Sequence, residues 1–129
     1  MTDTNAALSL EVVDGIAVIS FDLPGESVNK FTTSVIAEFS AIIDRFERDE
    51  TIRAAVLLSG KPDIWIAGAD IEQFLAFGTA EAATRASASG QALLDRVEHG
   101  RVPLICAIHG ACMGGGLELA LACAHRIAT

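Results

Sequence analysis

Two apolar runs, "IRAAVLLSG" and "PLICAIHG", have strand length, end in glycine, and lie either side of a long segment of helical spacing. Runs that are apolar throughout, without alternation, read as strands buried on both faces. The rest of the chain repeats the theme. "LSLEVVDGIAVISFD" reads as two alternating strands joined at Asp14-Gly15, a pair suited to a type I′ turn because both central residues take positive φ. From Thr32 onward Val35, Ile36, Phe39, Ile42, Ile43 and Phe46 recur at helical spacing, which predicts an amphipathic helix capped by Thr32 or Thr33. "IWIAGAD" reads as a short strand entering a tight turn, with Asp70 placed to cap a short helix over "IEQFLAF". A longer helix is expected from about Glu81 to His99 with Gly100 at its C-cap, then another from about Gly115 to Ala124, then a strand opening at "HRIAT". Strands and helices alternate, so the class is α/β with an at least partly parallel sheet.

The 129 residues suffice for one domain with a real core. Seventeen acidic against nine basic side chains leave a net charge of −8, which argues against non-specific nucleic-acid binding but not against a small anionic ligand. Three cysteines (Cys106, Cys112, Cys123) with no C-x-x-C spacing argue against a disulfide framework and for a reducing compartment. "MTDTNAALSL" has the look of neither a secretory signal nor a transit peptide, and no apolar stretch reaches membrane-span length, so the expected setting is the cytoplasm.

Gly114-Gly115-Gly116 sit between a predicted strand and a predicted helix, which bares backbone at a helix N-terminus. The first N–H groups of a helix lack internal partners and lie at the positive end of its dipole, so they suit an anion or a carbonyl that becomes an oxyanion. The spelling fits neither G-x-x-x-x-G-K-[ST] nor G-x-G-x-x-G, and the same glycines would equally permit close helix–strand packing. Glu118, in the first turn, reads either as a favourable charge at the dipole or as an acid/base in a partly apolar cleft, with Leu117, Leu119 and Leu121 arguing against full exposure. "AGAD", from Ala67 through Gly68 and Ala69 to Asp70, offers a second set of backbone donors where a strand meets a helix. The spacings of His99, His109, His125 and the cysteines match no zinc pattern, and no metal site is expected.

"IWIAGADI" followed further on by "PLICAIHGACMGGGLELALACAHRIAT" closely resembles the crotonase (enoyl-CoA hydratase/isomerase) superfamily, from about Leu10 to the last residue. Within it, "SVNKF" and "GGGLELA…RIAT" look most like the hydratase part of multifunctional fatty-acid-oxidation α-subunits. The resemblance implies a spiral of ββα units, here residues 1–129 as the N-terminal portion of such a domain. It implies enoyl-CoA hydration with an acyl-CoA thioester as substrate and no further cofactor. By motif, the Ala67 and Gly115 N–H groups would hold the thioester oxygen, with Gly68, Ala69, Asp70 and Gly114 around it, and Glu118 would work on the adding water. A second Glu, in a Gly-Leu-Pro-Glu-like segment, is expected beyond Thr129, so the fragment alone would be weakly active or inactive. Lys30 or Lys61 are candidates for a CoA phosphate. The resemblance also implies a homo-oligomer and, in the multifunctional subunits, a dehydrogenase domain and a thiolase partner. Isomerase or thioesterase chemistry on the same fold, or a non-catalytic assembly piece, are the competing readings.

Overall fold

The computed structural model describes residues 5–129. Its main sheet has five strands in the order β1 (Leu8–Val13), β2 (Ile16–Phe21), β4 (Ala54–Ser59), β7 (Leu104–Ile108) and β9 (His125–Ala128). The first pair is antiparallel and every later pair parallel. Asp14 (φ 51°) and Gly15 (φ 81°) make the turn of the antiparallel pair, as the dipeptide predicts.

After β2, each passage from one strand of this sheet to the next runs through short cross-strands and then helix. β3 (Lys30–Phe31) precedes α1 (Thr33–Arg48); β5 (Ile64–Ile66) and β6 (Gly68–Ala69) precede α2 (Ile71–Phe74) and α3 (Ala80–His99); β8 (Ala111–Cys112) precedes α4 (Gly115–Ala122). The cross-strands pair among themselves, β3 with β6 and β5 with β8, both parallel. This is the ββα spiral: each turn adds one long strand, one cross-strand pairing position and one helical layer.

The core lies on one face of the main sheet. Ala17, Ile19 and Phe21 of β2, Ala55 and Leu57 of β4, and Leu104 and Cys106 of β7 all point into it. Val35, Phe39, Ile43 and Phe46 form the i, i+4, i+8, i+11 stripe that α1 lays over them. Thr32 is the cap of α1, its hydroxyl accepting from Val35 N–H at 3.2 Å. The expectation that β4 is buried on both faces is not met: Val56 is half-buried and Leu58 is 38% exposed, because the helices of this chain cover only one side. The helix expected over "IEQFLAF" is a single turn. Ala76 N–H bonds to Gln73 O and Phe77 N–H to Phe74 O, so after Phe74 the chain tightens into i→i+3 turns instead of continuing.

Candidate active site

Each turn of the spiral delivers its helix start to the same side of the cross-strands. Met113 N–H donates to Ile66 O at 3.1 Å, which ties the approach to α4 against β5. Gly116 must then lie so close to β5 that an added Cβ would sit 2.7 Å from both the Ile66 side chain and its carbonyl oxygen. Gly114 takes φ 51°, ψ −125°, a backbone shape closed to ordinary side chains. A Cβ on Gly115 would lie 3.1 Å from the Phe31 ring and 3.6 Å from the Ala69 nitrogen. The glycines therefore do both things the spelling allows: they let the helix pack on the strand and they bare the Gly115 N–H, which makes no hydrogen bond among the described residues.

The second donor is not the one expected. Ala67 N–H donates to Asn29 O at 2.8 Å, so it is already engaged and cannot serve a ligand. Two residues on, the parity changes. Phe31 is the register partner of Ala69, and its carbonyl accepts from Asp70 N–H at 3.1 Å. In a parallel ladder the residue that bonds to both neighbours of its partner leaves that partner's own N–H pointing away. The Ala69 amide is thus turned from β3 while lying beside Gly115, and Ala69 is exposed. Gly68, at φ 134°, brings β6 against α4: its added Cβ would stand 3.4 Å from the Gly115 nitrogen.

These groups open onto a cleft of about 330 Å³, within the range of small-molecule sites. Ala69, Asp70, Gly115 and Glu118 line it together with Phe31, Ile36, Phe74, Phe77 and the inner face of α3. Glu118 does share the cleft, but it is exposed, and Leu117 and Leu121 are 47% and 63% exposed. Leucines two apart on a helix point to different sides, so only Leu119 turns inward, and the expected shielding of the carboxylate is absent from these residues. Asp70 caps α2, accepting from Glu72 N–H at 3.3 Å.

Neither lysine proposed for a phosphate is free. Lys61 is largely buried and is held by Asp22 at 2.6 Å and Leu23 O at 2.7 Å. Lys30 stands between Glu26 (3.4 Å) and Asp70 (3.7 Å). Burial pulls its pKa down, yet the two carboxylates outweigh that and hold it above the usual lysine value. Burial pushes the thiols of Cys106, Cys112 and Cys123 upward, away from the thiolate form that attacks as a nucleophile. His109 is engaged with Lys61 O at 2.6 Å.

One residue was not singled out from the sequence. Asn29, fully buried, has Phe21 O, Ser59 Oγ and Trp65 O within hydrogen-bond reach of the two Nδ2 hydrogens, and accepts from Leu23 N–H at Oδ1. Its carbonyl also takes the Ala67 N–H, so it sets the path of the chain into β6. An Asn beside Pro-Gly turns reads as loop, and only the long-range partners reveal the role.

The sequence model of the enoyl-CoA hydratase/isomerase family matches residues 11–129. The chain is similar to the fatty acid oxidation complex subunit alpha of Idiomarina loihiensis, 45% identical over 95% of this chain and 18% of that protein. The subunit of the same name from Shewanella oneidensis is 46% identical over 88% of this chain and 16% of that protein. Among solved structures, an enoyl-CoA hydratase from Geobacillus kaustophilus superposes with a TM-score of 0.87 at 30% identity, over 98% of this chain and 47% of that one. The chain thus spans under a fifth of those curated relatives and about half of that structure.

Proposed function

The chain belongs to the enoyl-CoA hydratase/isomerase family, and from that premise we propose that its cleft holds an acyl-CoA thioester and that the whole protein hydrates trans-2-enoyl-CoA in fatty-acid β-oxidation. The observation that carries the reading is the juxtaposition of two main-chain amides, Ala69 and Gly115, at the mouth of an apolar cleft. The thioester oxygen lies between them. As the oxygen of water bonds to C3, the electron pair of the double bond moves toward the thioester and the oxygen gains enolate charge. Donors already in place stabilise that charge without reorganisation; loss of one such donor typically costs about 10²–10³ in rate. Glu118 orients the water and takes its proton, and a proton is returned to C2. The family resemblance assigns a second carboxylate to residues beyond Thr129, so catalysis belongs to the complete domain.

A cytoplasmic setting fits the three unpaired thiols. Assembly of the whole protein with other subunits is part of the same proposal, supported by the word "complex" in the names of the relatives; a homo-oligomer and a thiolase partner are what the family resemblance implies. No helix among the described residues is long and apolar enough to cross a membrane.

The test is crotonyl-CoA hydration, followed by loss of the enoyl-thioester absorbance, with the chain carried in a complete family domain. Glu118→Gln should lower kcat by about 10²–10⁴ and leave KM little changed. Unaltered turnover in that variant would refute the role of Glu118.

A further inference from the structure

Helix α3 contains a glycine that nothing in its packing demands. Gly90 lies in the interior of Ala80–His99, where glycine weakens a helix relative to alanine. Its φ is not positive, and a Cβ built on it meets no atom within 4 Å. Gly116 is the contrast, since a Cβ there collides with Ile66. What Gly90 does have is a place in the wall of the cleft. It shares that wall with Ala83 and Ala86, seven and four residues earlier on the same helical face. The three form a strip of small residues about 10 Å long by helical rise, and Phe74 and Phe77 line the same cleft.

Resting on the thioester reading above, we propose that Gly90 is a specificity-determining residue: the space left by its missing side chain admits the distal methylenes of a medium or long acyl chain. The cleft places apolar walls where an alkyl chain gains most from burial. Each buried methylene is worth about fourfold in affinity. A side chain at position 90 would occupy that room and leave the thioester end, at Ala69 and Gly115, untouched.

The experiment is calorimetric titration of this chain with two saturated, unreactive thioesters, butanoyl-CoA and decanoyl-CoA. The wild type should bind decanoyl-CoA at least tenfold more tightly. Gly90→Leu should abolish that advantage while leaving butanoyl-CoA within about twofold. Gly90→Ala, which the helix accommodates without contact, should show an intermediate loss on decanoyl-CoA together with a raised Tm, and so guards against a folding defect in the leucine variant. Equal weakening of both thioesters would place the pantetheine arm, not the acyl chain, beside Gly90 and overturn the proposal. No change in either, or equal affinities in the wild type, would overturn it as well. If the wild type binds neither thioester, the thioester reading itself fails, an outcome distinct from length-independent binding.

Discussion

Two helical glycines in this chain respond oppositely to one methyl group. At Gly116 the added Cβ would lie 2.7 Å from Ile66 Cβ and Ile66 O, and the carbonyl cannot move without disturbing the bond it accepts from Met113 N–H. Gly116→Ala should therefore destabilise by about 2 kcal/mol, the usual cost of overpacking. Gly90→Ala, with nothing to collide with, should stabilise by about 0.5–1 kcal/mol. Urea unfolding of the two variants checks both signs, and two shifts in the same direction would contradict the assignment. At this scale the sequence was only half legible. That glycines before an apolar helix bare an amide could be read from spelling, because the Gly115 N–H is orphaned by helix geometry alone. Which alanine of "AGAD" has its amide turned from β3 could not be read, because the direction of a strand amide is set by the register with that strand. That register depends on Asn29 and Phe31, more than thirty residues away in the sequence.

Elements whose signals are local are the more legible ones in the sequence. The Asp14-Gly15 turn and the Thr32 cap depend on contacts within four residues. The cap also matters to the site, since it fixes where α1 leaves Phe31, which lines the cleft. Thr32→Ala should cost about 1 kcal/mol. That corresponds to a fall in Tm of about 4 °C for a domain of this size. Thr33→Ala should cost less, because the Thr33 backbone N–H keeps its 3.1 Å bond to Gln73 Oε1 after the hydroxyl is lost. Thermal melts of the two variants distinguish the caps that the sequence left open. Cross-strands of two residues carried no such signal. β3, β6 and β8 are too short to show alternation, and they are strands only because distant segments pair with them.

Across the whole molecule the main sheet is asymmetric, and its open side should govern behaviour in solution. The register places Leu57 beside Cys106 and Cys106 beside Arg126, so Leu58, Ala107 and Ile127, one residue further along, face away from the core. Val13, Leu58 and Ile127 are 50%, 38% and 56% exposed, an apolar band across the uncovered face. The two edges of the sheet differ as well. At the β1 end the Glu38 carboxylate accepts from Ala7 N–H and Leu8 N–H, which blunts that edge. β9 is the other edge strand, and all four of its residues are exposed. A strand with one open edge beside an apolar face is a template for pairing with another copy. This chain should therefore self-associate, with a mass by light scattering that rises with concentration. Ile127→Lys places a charge on both the edge strand and the open face, where desolvating it would oppose either mode of association, and it should return the chain toward a monomer. Because Ile127 contributes nothing to the buried core, the variant should keep the wild-type Tm. A wild-type chain that remains monomeric from about 10 to 200 µM, concentrations that populate a dimer with a Kd of about 1 µM, would show that neither the face nor the edge is adhesive.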